Sequence, residues 1–273
     1  MKELAIRSLS GILYISLFLL CLYSEHALIA LFYFYGLITL AEFNKLINLK
    51  GKVSYVIFSI LYFAFAFWQL ALDTDEGFSE AIQILHVITI FVLLFLIKDL
   101  FSEKTLPLFI TKRYINTTFY ISSGFIFIIL IADYYEPYNP NILLGSFLLV
   151  WVNDTFAYLI GKNFGKQKLF PSISPKKTFE GFLGGLFFAC VSSYFIAKFT
   201  HTLDFNNWLI LSIIISVFGT LGDLIESKYK RQADVKDSGV IMPGHGGLLD
   251  RLDSILFAAP FIYLFLRITH YVS

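Results

Sequence analysis

The chain has 273 residues, of which 57% are hydrophobic and only 15% are charged. A soluble domain carries about a quarter charged residues, so this composition excludes an ordinary soluble protein and predicts an integral membrane protein. A formal net charge of +1 argues against nucleic acid as a partner, because binding to phosphates along a nucleic acid needs a basic surface. The two cysteines, Cys21 and Cys190, lie far apart in apolar stretches, and we interpret them as packing residues.

Apolar stretches of about 20 residues, the length needed to cross a bilayer, recur along the whole chain. The first follows a short basic start without a clear small-residue cleavage site, so we expect an uncleaved helix rather than a secretory signal. The sequence therefore predicts an all-α polytopic membrane protein with about nine transmembrane helices. Their approximate ranges are 8–24, 27–46, 53–72, 79–98, 115–134, 141–161, 179–198, 207–226 and 248–269.

The polar residues indicate how the chain is organised and oriented. We expect residues 1–50 to form an N-terminal two-helix membrane segment and residues 51–273 to form the transmembrane catalytic domain. Lysine and arginine concentrate in alternate loops, which predicts that these loops, and an active site at the ends of the C-terminal helices, face the cytoplasm. The basic loops lie near residues 45–52, 98–113, 162–177 and 228–236.

The sixth predicted span carries polar residues within its apolar run. Asn153 and Asp154 lie about two helical turns from its basic end, with Tyr158 one turn further along. An ionisable residue at that depth is a candidate for function, and these side chains are expected to line a polar cavity. The alternative is a cluster of interhelical hydrogen bonds that only stabilises the bundle.

A second polar segment, SPKKTFEG, leads into the seventh span. Pro175 restricts the loop, and Ser174 or Thr178 is suited to cap the following helix. Lys176 and Lys177 can hold phosphate groups as point charges. The alternative is that the two lysines only set the membrane orientation.

Three carboxylates converge on the last predicted cytoplasmic loop. Asp223 lies near the end of span eight, whereas Asp250 and Asp253 open span nine on one helical face. Acids at a membrane edge need a partner or a metal, and hard oxygen ligands suit magnesium. The alternative is structural ion pairing with Arg251 or Arg231.

Between these acids lies a dense polar segment, residues 227–253, with a glycine-rich turn at Gly244, Gly246 and Gly247. Glycines allow a backbone to approach a ligand closely, and successive N–H groups before a helix favour anions. His245 stands within the turn and can bind a phosphate or carry a proton; the alternative is that it stabilises the loop. The same segment contributes Ser227, Lys228, Lys230, Arg231 and Lys236.

This segment closely resembles the C-terminal signature of the CDP-diacylglycerol synthases, also called phosphatidate cytidylyltransferases. The matching residues are Ser227, Lys230, Arg231, Lys236, Asp237, Gly239, Pro243, His245, Gly246, Gly247, Asp250, Arg251 and Asp253. The NDTFAY and SPKKTFEG segments are also similar to that family. The resemblance covers spans six to nine, whereas the first five spans match only in general character.

The resemblance implies transfer of the cytidylyl group of CTP to phosphatidate, with magnesium as the cofactor and room for a second, monovalent cation such as K⁺. It implies that Asp223 and Asp250 bind the metal, with Asp253 and Glu226 as supporting acids. The expected catalytic set is Asp223, Lys230, Arg231, Lys236, His245, Asp250 and Asp253. The expected substrate-binding set is Asn153, Asp154, Ser174, Lys176, Lys177, Ser227, Gly246, Gly247 and Arg251.

Two other functions fit the same residues less well. A CTP-dependent kinase of a polyprenol-type lipid would transfer the γ-phosphate and release CDP instead of pyrophosphate. An ion-coupled transporter would use Asp154 and Asp223 for ions, but its polar residues would lie at the midplane and not at one face. We expect the bacterial cell membrane as the location, and a homodimer through lipid-facing spans fits the composition.

Overall fold

The computed structural model describes residues 2–67, 78–102, 110–134, 138–241, 244 and 246–272. Helices dominate these ranges, as the apolar composition predicts. The first six are α1 (Lys2–Cys21), α2 (Glu25–Leu46), α3 (Val53–Tyr62), α4 (Phe78–Leu100), α5 (Ile110–Asn116) and α6 (Ser123–Ala132). The C-terminal four are α7 (Asn141–Phe164), α8 (Phe179–Thr200), α9 (Phe205–Gln232) and α10 (Leu249–Val272).

The helices confirm the prediction of an all-α polytopic membrane protein. Within the described ranges, seven helical segments are long and apolar enough to cross a bilayer. Two of the nine predicted spans correspond to shorter apolar helices, Ser10–Cys21 and Val53–Phe67. The total of nine spans therefore stays a prediction.

Two π-helical turns interrupt the regular helices of the N-terminal half. Phe63–Phe67 continues α3, and Thr117–Ser122 joins α5 to α6. Tyr120 of the Thr117–Ser122 turn is buried in the core and packs edge-on against Phe43, with ring centroids 5.6 Å apart. Such turns are rare in proteins overall, but those that do occur are often at functional sites.

The C-terminal helices pack closely because glycines face their neighbours. A Cβ on Gly185 of α8 would lie 2.6 Å from the Asn153 carbonyl oxygen of α7. A Cβ on Gly222 of α9 would lie 2.8 Å from the Asp253 carbonyl oxygen of α10. Small residues at helix crossings let backbones approach within a membrane. The end of α7, the start of α8, the end of α9 and the start of α10 consequently meet at one end of the bundle.

A short antiparallel hairpin covers that end between α7 and α8. Its strands are β1 (Lys168–Phe170) and β2 (Ser174–Thr178). The Thr178 hydroxyl accepts a hydrogen bond from Gly181 N and caps α8, as the sequence predicts for Ser174 or Thr178. Glu180 accepts the backbone N–H groups of Lys166 and Gln167, which attaches the loop after α7 to the start of α8.

The N-terminal helices pack against the rest of the described chain. Phe18 of α1 lies against Phe147 of α7, with ring centroids 4.5 Å apart. Near the other end of α2, Glu42 reaches the backbone at the start of α10. The division into a segment 1–50 and a domain 51–273 stays a prediction. In the structure α1 contacts α7, and α2 contacts the start of α10.

Candidate active site

A polar cavity of about 780 Å³ opens where α7, α8, α9, α10 and the hairpin meet. It lies at the ends of the C-terminal helices, where the sequence predicts the active site; that placement stays a prediction. The charged and amide side chains that line it are Asn153, Asp154, Lys162, Lys168, Lys176, Lys177, Asp223, Lys230, Asp237, Asp250, Arg251 and Asp253.

Three carboxylates form a tight cluster, in which Asp223 and Asp253 line the cavity and Glu226 lies buried behind them. One oxygen from each of Asp223, Glu226 and Asp253 lies within 4.8 Å of the other two. Glu226 is fully buried and Asp253 nearly so. Lys177 forms an ion pair with Asp223, and Lys230 forms one with Glu226. Buried acids this close repel one another unless cations neutralise them, and the two lysines supply part of that neutralisation. Carboxylate oxygens at this spacing are also suited to a divalent metal ion.

Asp250 lies beside the cluster but makes different contacts. Its Oδ1 accepts a hydrogen bond from Lys230 Nζ at 2.7 Å. Its Oδ2 accepts three more, from Ser238 N, Ser238 Oγ and Gly247 N, at 2.9, 2.9 and 2.7 Å. Protein donors therefore occupy both oxygens, and the carboxylate binds the two ends of the glycine-rich loop to α9 and α10.

The glycines of that loop have specific structural reasons. Gly246 has a φ of +89°, and a Cβ there would lie 2.8 Å from Asp250 Oδ2. A Cβ on Gly247 would overlap the Ser238 hydroxyl. Both predicted binding residues thus shape the loop through Asp250 and Ser238. His245, predicted to act on phosphate, lies outside the described residues, as does Pro243 of the signature.

The structure separates the predicted cationic residues into two groups. Lys176, Lys177, Lys230 and Arg251 line the cavity, as do Lys162 and Lys168, which were not in the predicted set. Arg231 donates instead to the carbonyl oxygens of Ile173 and Val235, and so ties the hairpin to the end of α9. Lys236 is exposed and is not among the cavity-lining residues.

The remaining predicted residues occupy supporting positions. Ser227 donates to Asp223 Oδ1 at 3.3 Å, which orients that carboxylate. Ser174 begins β2 outside the cavity lining. Asn153 and Asp154 line the cavity together, and Asn153 Nδ2 donates to Asp154 Oδ1 at 3.4 Å. The Asn153 Oδ1 is buried against Gly185 of α8 and has no hydrogen-bond partner in the part of the chain that the structure describes.

Two acids near the site were underrated by the sequence analysis. Glu226 was expected only to support the metal, yet it lies three residues after Asp223, on the same helical face. Glu42 was not singled out at all, although a carboxylate inside an apolar span is itself a signal of function. It accepts hydrogen bonds from Leu248 N and Leu249 N, more than 200 residues away along the chain.

Comparison with known proteins identifies the family of the chain. The model of the cytidylyltransferase family matches residues 5–269. The chain belongs to the cytidylyltransferase family. The family predicted from the C-terminal signature is thereby confirmed, and with it an enzyme, a CTP-dependent nucleotidyltransferase. Because the match extends over nearly the whole chain, it includes the first five spans, where the sequence analysis found only general similarity.

Individual relatives cover the chain to different extents. The phosphatidate cytidylyltransferase of Bacillus subtilis (strain 168) is 36% identical over 282 residues, which cover 98% of this chain and 99% of the relative. That of Staphylococcus epidermidis is 34% identical over 267 residues, 96% of this chain and 98% of the relative. That of Staphylococcus aureus (strain COL) is 46% identical over 151 residues, about half of each chain.

Proposed function

We propose that the cavity transfers the cytidylyl group of CTP to phosphatidate and produces CDP-diacylglycerol and pyrophosphate. The observation that carries the proposal is the clustered carboxylates Asp223, Glu226 and Asp253 beside a wall of lysines, at the end of a transmembrane bundle. A nucleotide triphosphate and a lipid phosphate both bring negative charge to such a site. The full-length relatives, named phosphatidate cytidylyltransferases, support the same substrates.

The reaction is an in-line displacement at phosphorus. An oxygen of the phosphatidate phosphate forms a bond to the α-phosphorus of CTP, and the bond from that phosphorus to the β-phosphate oxygen breaks. The attacking group is already an anion, so no strong general base is needed. The barrier comes from bringing two polyanions together, and fixed cations offset it. Lys176, Lys177 and Arg251 line the cavity in positions to contact these phosphates.

The cluster fits a magnesium ion by the chemistry of its donors. Asp223, Glu226 and Asp253 offer carboxylate oxygens within 4.8 Å of one another, and magnesium prefers oxygen ligands shared with substrate phosphates. When bound, the ion would neutralise phosphate charge and act as a Lewis acid. This proposal keeps Asp223 from the sequence-based ligand set and replaces Asp250 by Asp253 and Glu226. A second cation such as K⁺ stays a prediction, for which Asp154 and Asn153 offer nearby oxygens.

Lys230 organises the acids around this site. Its ammonium contacts Glu226 and Asp250 at once, so it links the metal-binding face of α9 to the loop before α10. We expect its charge to hold these two carboxylates at a constant spacing before substrate arrives. A preorganised arrangement of this kind lowers the cost of placing the charged substrate groups.

The cavity lies at the membrane edge, and we propose that this edge faces the cytoplasm in the bacterial inner membrane. The basic loops at the same end support this orientation through the positive-inside rule. The lipid substrate can then keep its acyl chains in the bilayer while its phosphate meets CTP from the cytoplasm. An impermeant thiol reagent on intact spheroplasts tests the orientation. Lys236→Cys should be protected and His201→Cys labelled, in a chain with Cys21 and Cys190 replaced by serine.

The labelled products distinguish cytidylyl transfer from phosphorylation of a lipid. Purified protein is incubated with phosphatidate, magnesium and CTP labelled at either the α- or the γ-phosphate. We expect the α-label in the lipid and the γ-label in pyrophosphate. Transfer of the γ-label to a lipid with release of CDP would instead establish a lipid kinase. A homodimer stays a prediction, and the mass of the protein in lipid nanodiscs would test it.

A further inference from the structure

A buried carboxylate on α2 contacts the active-site loop from outside the cavity. Glu42 is only 5% exposed and lies near the end of its helix. One of its oxygens accepts a hydrogen bond from Leu248 N at 3.0 Å, and the other accepts one from Leu249 N at 2.8 Å. These are free N–H groups at the start of α10, so Glu42 acts as a cap supplied by a distant helix.

The loop before α10 is shaped to receive this carboxylate. A Cβ on Gly239 would overlap Glu42 Oε1, and a Cβ on Gly247 would lie 2.7 Å from the same oxygen. Both glycines therefore leave the space that the carboxylate fills. Glu42 thus contacts the loop at both of its ends, as well as the first turn of α10.

The segment that Glu42 holds is the one that carries the chemistry. Leu248 and Leu249 immediately precede Asp250 and Arg251, which line the cavity, and Asp253 follows one turn later. Asp250 binds Gly247 N and Ser238 N from the other side of the same loop. Two carboxylates from different helices therefore determine where α10 begins and which way its first turn faces.

An acid is an expensive choice for packing alone. Burying a carboxylate is unfavourable unless charge-assisted hydrogen bonds compensate, and an apolar residue would fill the same space without that cost. Two directional bonds instead specify a position, because each oxygen must meet one N–H group. Small displacements of catalytic groups have large effects on rate, so precise placement of this turn has a functional value.

We propose that Glu42 is a positioning residue for cytidylyl transfer. Its carboxylate sets the start of α10 and thereby the placement of Asp250 and Asp253 relative to Asp223 on α9. The inference rests on the proposed function for its catalytic consequence, whereas the contact itself is independent of the substrate. Among the residues that the structure describes, α2 thus takes part in the active site through Glu42 without lining the cavity.

The test compares Glu42→Gln with Asn44→Ala. Glutamine has the size of glutamate, but its amide N–H₂ must face one of the two backbone N–H groups, so one bond is lost. Asn44 lies on the same helix and is buried. Its Nδ2 donates a 2.8 Å hydrogen bond to Ser54 Oγ of α3 and not to the loop. It controls for loss of a buried hydrogen bond in α2. Hydrogen–deuterium exchange of peptides spanning 246–256 is measured without substrate or metal, and kcat and KM for CTP are then measured per folded protein.

We expect Glu42→Gln to accelerate exchange in this segment by about tenfold or more, since a charge-assisted bond is lost. We also expect kcat to fall about tenfold with a smaller change in KM, because the transition state depends most on placement. Asn44→Ala should leave exchange in 246–256 at the wild-type rate. Wild-type exchange in Glu42→Gln, or a kcat equal to that of Asn44→Ala, would overturn the proposal.

A second variant approaches the contact from the loop in case Glu42→Gln fails to fold. Gly239→Ala pushes a methyl group against Glu42 Oε1 and should accelerate the same exchange. Glu42→Asp withdraws the carboxylate by one methylene. In the double variant Glu42→Asp with Gly239→Ala, the loss of exchange protection should therefore be smaller than the sum of the losses in the two single variants. Strictly additive losses would count against the contact. If the wild-type protein forms no CDP-lipid, the proposed function fails, while the exchange experiment still decides whether Glu42 holds the loop.

Discussion

Replacing Asp250 by asparagine separates the two roles that an acid can have in this site. The sequence-based hypothesis makes Asp250 a metal ligand, whereas the structure surrounds it with four protein donors. Oδ2 accepts three of these bonds, so the asparagine oxygen should take that place. The amide N–H₂ then faces the Lys230 ammonium, where two donors oppose each other.

The cost follows from these contacts. One charge-assisted hydrogen bond to a largely buried lysine is lost, which is worth about 2 kcal/mol of stability. Lys230 keeps Glu226 as its partner, so no buried charge is left alone. We therefore expect Asp250→Asn to fold with reduced stability and reduced kcat, but to bind magnesium almost normally. Asp253→Asn removes a carboxylate of the cluster itself and should weaken magnesium binding by about tenfold or more, equivalent to about 1.4 kcal/mol.

The assay measures magnesium binding in two ways. Pyrophosphate release is followed as magnesium is titrated, and the concentration for half-maximal rate is compared among wild type, Asp250→Asn and Asp253→Asn. Thermal unfolding at each magnesium concentration measures binding without turnover, since a ligand of the folded state raises its stability. Each assay gives a magnesium concentration for the half-maximal effect. If Asp250→Asn raises both concentrations as much as Asp253→Asn does, Asp250 is a ligand and the cluster of Asp223, Glu226 and Asp253 is the wrong set.

Three further predictions follow from single contacts. Lys177→Met removes the ion-pair partner of Asp223 in the cavity and should lower kcat/KM for CTP by about tenfold to a hundredfold; wild-type kinetics would exclude a role in phosphate binding. Arg231→Lys keeps the charge but loses the fork that holds Ile173 and Val235, so exchange of residues 168–178 should accelerate; an unchanged hairpin would contradict this. Gly185→Ala forces a methyl group against the Asn153 carbonyl oxygen and should cost about 1–3 kcal/mol in thermal unfolding. The matched control is Gly219→Ala, whose Cβ would meet Ser254 Cβ at an ordinary 3.4 Å, and an equal loss in both would refute the packing argument.

Local patterns predicted several of the residues that line the cavity. Asp154, Lys177 and Asp223 lie in separate segments of the sequence. The two acids were singled out because a carboxylate in or beside an apolar span is costly without a role, and Lys177 because a lysine can hold a phosphate group. The structure brings all three into one cavity. The antiparallel order of α7 to α10 explains this success, because every second helix end must lie on the same side of the membrane.

Other assignments depended on contacts that no local pattern contains. Arg231 and Lys230 are neighbours in the sequence, yet Lys230 points among the acids while Arg231 binds the hairpin. Adjacent residues on a helix face different directions, so spacing alone cannot assign both to phosphate. Glu42 was overlooked because its partners, Leu248 and Leu249, are backbone groups of a helix more than 200 residues away.

The sequence by itself determined the class of protein and its family. A chain that is 57% hydrophobic must cover most of its surface with lipid, and the signature at 227–253 specifies the chemistry through residue types at constant spacing. Only the tertiary structure decided which acids share a metal-sized cluster and which lies beside it: Asp253 belongs to the cluster, whereas Asp250 accepts four hydrogen bonds from the protein. Asp250 and Asp253 look equivalent in the sequence, but electrostatic roles depend on distances of a few ångströms between helices, and packing alone sets those distances.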